Sequence, residues 1–150
     1  MKFRFRVLCP TVLLLFVLIF IFGNSLQTAP ESTAISDRVL DWLSPLLGDT
    51  ACTEEQLSHI LRKLAHFCEF ALLGLCLCFT AQAFSIPRFR LCAVGIGLLC
   101  AGADEFLQRF IEGRSSQFSD VMIDSAGVLF GLFLCFALQK IARRRGRSSS

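Results

Sequence analysis

Arg62, Lys63, His66 and Glu69 lie together in RKLAHFCEF, at the mouth of the apolar run ALLGLCLCF. On a helix, spacings of four and three put Arg62, His66 and Glu69 on one face, and a spacing of three lets Lys63 reach His66. Such a set can hold an anion through its cations, or exchange a proton through an imidazole that changes charge near neutral pH. Glu69 sits too deep to reach water by stretching, so it requires a partner: His66 or a residue of another helix. A second polar group follows in ADEFLQRF, residues 103–110, with Asp104 and Gln108 on one face and Glu105 and Arg109 as a spacing-four pair. In EGRSSQFSD, residues 112–120, Gly113 supplies a turn and Arg114 a planar donor fork suited to carboxylate or phosphate oxygens. Asp120 is placed to cap the next helix, and Asp124 lies one turn deeper, where capping no longer accounts for it.

Three chemistries are open to these residues. Arg62, Lys63, Gln108, Arg109 and Arg114 are candidates for binding a charged headgroup. His66, Glu69, Asp104 and Asp120 are candidates for acid–base catalysis. Asp104, Glu105, Asp120 and Asp124 are oxygen ligands of the kind a divalent cation takes. No Ser/His/Asp spacing, phosphate loop or standard metal motif accompanies them, so no cofactor is expected beyond such a cation.

The elements that must position these groups are read from hydropathy. Of the 150 residues, 54% are hydrophobic and 18% charged, a balance that points to a membrane rather than to a water-soluble core. Residues 7–22, 70–87, 91–103 and 125–138 carry no charge at all. Extended through their polar ends, these runs predict transmembrane helices at 7–23, 64–84, 90–108 and 120–140, each long enough to cross about 30 Å of hydrocarbon. The expected fold is an all-α, four-helix transmembrane bundle forming one membrane domain over 1–150. Lys2, Arg4 and Arg6 before the first run also suit a secretory signal. The run exceeds a usual signal core and QTAP is a poor cleavage site, which favours a retained helix.

Basic residues orient the bundle. The N-terminus, the turn with Arg88 and Arg90, and the tail from Lys140 to Arg147 hold ten of the fifteen Lys and Arg and none of the twelve acidic residues. The positive-inside rule therefore puts both termini in the cytoplasm, with a basic tail over 141–150 suited to the phospholipid bilayer's anionic headgroups. Loops near 24–60 and 109–119 then lie outside, and no nucleic-acid recognition module is present. Residues 36–47, SDRVLDWLSPLL, read as a short outer interfacial helix anchored by Trp42 and kept short or bent by Pro45. TEEQ at 53–56 is a capping box, so the next helix is expected to run unbroken from the interface into the second crossing. Seven of the eight cysteines fall in or beside apolar runs, where a thiol serves as a small hydrophobe.

RKLAHFCEFALLG, ADEFLQRFIEGR and FSDVMIDSAG, in this order and preceded by an apolar helix and NSLQTAPESTAIS, resemble the VanZ-like family. The resemblance covers nearly the whole chain and maps onto Arg62, Lys63, His66 and Glu69, onto Asp104, Glu105, Gln108, Gly113 and Arg114, and onto Asp120. Phe70 stands where the family more often has Tyr, and Asp124 where it often has Asn. The resemblance implies a multi-pass protein of the bacterial cell membrane, in a family whose namesake is associated with resistance to the lipoglycopeptide teicoplanin. The leading expectation is a pocket facing outward that recognises a lipid-linked or amphiphilic envelope molecule. Alternatives are a membrane-embedded enzyme acting on lipid-linked headgroups, a structural or assembly protein, and a small transporter, which with four helices would require a homo-oligomer.

Overall fold

The computed structural model describes residues 2–47, 52–114 and 117–147. They form five helices: α1 Lys2–Ser25, α2 Ala29–Leu47, α3 Glu54–Ala83, α4 Phe89–Gln108 and α5 Phe118–Arg147. The spans Val7–Ser25, Glu54–Ala83, Phe89–Gln108 and Phe118–Ala142 are long and apolar enough to cross a membrane. The helix predicted over 36–47 is longer than expected and starts at Ala29. Its beginning is fixed by Thr28, whose amide and hydroxyl both donate to Glu31 Oε2, at 2.8 and 2.9 Å. Pro30 sits in the first turn, where no helical N–H is lost, and Pro45 lies two residues from the end. Helix α5 continues to Arg147, past the apolar span that ends at Ala142; residues 148–150 of the expected tail lie outside the described residues.

Helix α3 is the spine. It packs against all four other helices, most extensively against α5. Thr53 and Gln56 form the expected reciprocal capping box, with Thr53 accepting from the Gln56 amide, and α3 runs unbroken for 30 residues. The α3–α5 contact is close because small residues face backbone. A Cβ on Gly131 would strike the Ala71 carbonyl, one on Gly127 the Phe67 carbonyl, and one on Gly74 the Val128 carbonyl. Van der Waals contact of this kind is what holds helices together where lipid competes equally well for apolar side chains.

Helix α1 shows the same economy. It buries Val17, Ile21 and Ser25, a stripe at spacing four, while Leu15, Phe16, Ile19 and Phe20 remain exposed to the surrounding phase. At the other end, Thr80 Oγ1 of α3 donates to the Pro10 carbonyl of α1 at 3.1 Å. Antiparallel passage of α1, α3, α4 and α5 brings the C-termini of α1 and α4 to the same end as the N-terminal half of α3 and the start of α5. Among the described residues, Arg62, Lys63, His66, Glu69, Asp104, Glu105, Gln108, Arg114, Asp120 and Asp124 all lie toward that end.

Candidate functional site

Two residues at the end of α1 organise the site. Ser25 Oγ, fully buried, donates to Asp104 Oδ1 of α4, while Gln108 Nε2 donates to Asp104 Oδ2 at 2.8 Å. A carboxylate with no exposure is thereby held from both sides, as burial of a charge demands. Asn24 Nδ2 donates to Glu69 Oε1 of α3 at 2.9 Å. The Asn24 carbonyl accepts from Arg114 Nη2 at 3.3 Å, so the last turn of α1 joins α3, α4 and the 109–117 loop.

That loop is shaped locally. Gly113 has φ +75°, the left-handed region that glycine enters without steric cost, and a Cβ there would meet Ala29 Cβ at 3.0 Å. The Ala29 amide donates to the Glu112 carbonyl at 3.3 Å, tying the start of α2 to the loop. Glu105, 4% exposed, accepts from the Gln117 amide at 2.6 Å, which fixes the loop's far end against α4. Lys63 of α3 pairs with Asp120 of α5 at 3.0 Å.

Between these elements lies a cavity of about 60 Å³ lined by Arg62, Lys63, His66, Glu105, Gln108, Arg114, Asp120 and Asp124, among others. Glu69 and Asp104 are outside that lining and are held instead by α1. Buried atoms in this region without a hydrogen-bond partner include His66 Nδ1, Glu69 Oε2, Glu105 Oε2, Arg114 Nε and Asp124 Oδ1. Burial and the neighbouring Arg62 lower the Arg114 pKa from its ordinary value, opposed by Asp104, Glu105 and Glu69; a guanidinium keeps its charge through such a shift.

This constellation is assembled from three separated stretches whose order and spacing agree with one family. The VanZ/LLP1 family model matches residues 10–139. The chain belongs to the VanZ/LLP1 family. No curated protein and no solved structure gave a match. Four apolar helices and this membership make it a multi-pass membrane protein.

In this VanZ/LLP1 protein the geometry redraws several pairings. Of the two alternatives for Glu69, the partner is a residue of another helix, Asn24, rather than His66, because α1 brings an amide donor to it. Lys63 meets Asp120 rather than His66, since the start of α5 lies alongside α3. Arg62 Nη2 lies 3.4 Å from His59 Nδ1, one turn earlier on its own helix. Asp120 is in the first turn of α5, not at its cap. Arg109 caps the C-terminus of α4, is exposed, and is not among the residues lining this cavity. The expected carboxylate metal set is also divided: Glu105 and Asp120 are engaged with the Gln117 amide and Lys63, whereas ligand atoms of His66, Asp104 and Asp124 lie within 4.8 Å of one another. Phe70, at the position where Tyr is commoner, is fully buried and lies against Gly127, so the phenyl ring serves packing.

Asn24 and Ser25 were not singled out from the sequence, although they end the helix that holds the longest charge-free run. The available signal was their type: two hydrogen-bonding side chains ending an apolar helix, in a membrane protein whose other helices carry carboxylates at the same level.

Proposed function

We propose that the cavity recognises the headgroup of a lipid-linked or amphiphilic envelope molecule, and that the polar end of the bundle faces outward with both termini in the cytoplasm. The observation that carries this reading is a polar cavity at the end of a bundle that also exposes large apolar side chains at that end. Ile60 and Leu64 on α3, Phe106 and Phe110 around the end of α4, and Phe118 and Met122 on α5 are all exposed at the same end as Arg62, Arg114 and Asp124. An amphiphile can lie along such a surface with its chain in the hydrocarbon phase and its head among hydrogen-bonding groups, as small-ligand sites combine apolar walls with a few placed polar contacts.

Arg114 is the central recognition group in this reading. One nitrogen is held by the Asn24 carbonyl, and its fork borders the cavity with Arg62, so the two guanidinium groups would meet anionic oxygens of a headgroup. Carboxylates at the cavity wall would meet its amine or hydroxyl groups. Such recognition would give the family's association with teicoplanin a physical route, through an envelope molecule at the outer leaflet. Exposed Trp42 on α2 is placed in the adjoining membrane interface by the same orientation.

The test is teicoplanin susceptibility in a sensitive bacterium expressing the protein or its R114A variant at matched membrane abundance, with vancomycin for comparison. Protection by the parent and its loss in R114A is the expected result. Equal susceptibility of cells with and without the protein, or full protection by R114A, refutes the reading.

A further inference from the structure

His66, Asp104 and Asp124 come from α3, α4 and α5, yet one ligand atom of each lies within 4.8 Å of the other two. Asp124 is 2% exposed, it borders the cavity, and its Oδ1 has no hydrogen-bond partner. Asp104 is held in place by Ser25 and Gln108. This is the arrangement of a ligand carboxylate whose orientation is set by outer hydrogen bonds, with lone pairs still available.

Lys63 and Asp120 are engaged with each other in an ion pair. Glu69, Glu105 and Asp124 each keep one buried carboxylate oxygen without a hydrogen-bond partner, and His66 Nδ1 is likewise unpartnered. Buried polar groups left unsatisfied are unfavourable. A divalent cation among His66, Asp104 and Asp124 would engage lone pairs that the imidazole and Asp124 leave unused.

We infer that His66, Asp104 and Asp124 form a site for one divalent transition-metal ion, Zn²⁺ or Mn²⁺. One imidazole with two carboxylates is a mixed nitrogen and oxygen donor set, which suits these ions better than Mg²⁺, an ion that favours oxygen and retains its water. Bonds of about 2.0–2.2 Å require the three ligand atoms to draw somewhat closer than their present spread, a movement of side-chain torsions rather than of helices. The neighbouring cavity of about 60 Å³ accommodates water completing the coordination shell. Glu69 Oε2 and Glu105 Oε2 are buried acceptors without donors, a further sign of a site suited to a hydrated cation. The ion site stands on these ligands alone and is independent of headgroup recognition.

The experiment uses the full chain in detergent micelles, stripped with chelator, and measures Zn²⁺, Mn²⁺ and Mg²⁺ binding by calorimetry and by metal content after dialysis. The expected result is one saturable Zn²⁺ or Mn²⁺ per chain, weaker Mg²⁺ binding, an affinity loss of about 100-fold or more in H66A and D124N, and a loss of about 10-fold in S25A. D124N removes an unpartnered charge, so its metal-free form is expected to unfold no earlier than the metal-free parent, which separates lost binding from lost fold. Absence of saturable binding, or unchanged affinity in both H66A and D124N, overturns the inference. So does an infrared carboxylic-acid band in the parent that disappears in D124N whatever metal is supplied, because a proton would then occupy the ion's place. R114A leaves all three ligands intact and is expected to keep metal affinity within a few-fold, so failure of headgroup recognition and failure of the ion site are separately visible.

Discussion

Adding one methyl group to Gly131 tests the packing that holds the site together. A Cβ at this position would run into the Ala71 carbonyl oxygen and would lie 2.8 Å from the Ala71 carbonyl carbon and 2.9 Å from the Leu75 amide nitrogen. Ordinary contact begins at 3.4 Å, so α5 must retreat from α3 by about 0.6 Å to clear the carbon, and by more to clear the oxygen. All the obstructing atoms are backbone, and no rotamer change relieves them. Overpacking of this type costs about 1–3 kcal/mol, offset by at most about 1 kcal/mol from the better helix propensity of alanine. G131A is therefore expected to lose about 1–2 kcal/mol in reversible unfolding in mixed micelles. G102A is the matched control, since a Cβ on Gly102 has nothing within 4 Å, and it should be neutral or slightly stabilising. Because α3 carries His66 and α5 carries Asp124, G131A should also weaken whatever binds between them. Equal stability of G131A and G102A would refute the view that close backbone approach positions these two helices.

N24A removes the donor to Glu69 Oε1 and should destabilise the fold by about 1.5–3 kcal/mol in the same unfolding assay, the range for a hydrogen bond to a charged group; a loss under about 0.5 kcal/mol would argue against that bond. The Lys63–Asp120 pair is only partly buried, at 28% and 30% side-chain exposure, so a K63A/D120A double-mutant cycle should give a coupling below about 1 kcal/mol, and a value above about 2 kcal/mol would mean the pair is dry. Hydrogen bonds from the Thr28 amide and hydroxyl lower the Glu31 pKa from its ordinary 4.5. The contribution of that carboxylate to the start of α2 is thus fully present above 4.5 and fades as pH falls through the lower folded value. In an NMR titration the Thr28 amide should shift with a midpoint below 4.5, and E31Q should abolish the transition; a midpoint at or above 4.5 contradicts the cap.

The sequence by itself determined the helices and their membrane character, because 150 residues with four uncharged runs leave the backbone no other way to satisfy its hydrogen bonds in hydrocarbon. It also determined the unbroken α3, since the Thr53 and Gln56 cap acts within four residues. The start of α2 was legible in principle from Thr28, Pro30 and Glu31, whose capping is equally local, but the apolar pattern over 36–47 drew the boundary too late. Tertiary structure alone decided the partners. Spacing along one helix suggested His66 for Lys63 and left Glu69 to His66 or to a residue of another helix; neighbouring helices supply Asp120 and Asn24, and such contacts have no signature in local periodicity. The same holds for the grouping of His66, Asp104 and Asp124, each from a different helix. Periodicity fixes which face of a helix a residue occupies; the rotation of that helix against its neighbours is set by packing, here by Gly127 and Gly131 against the backbone of α3.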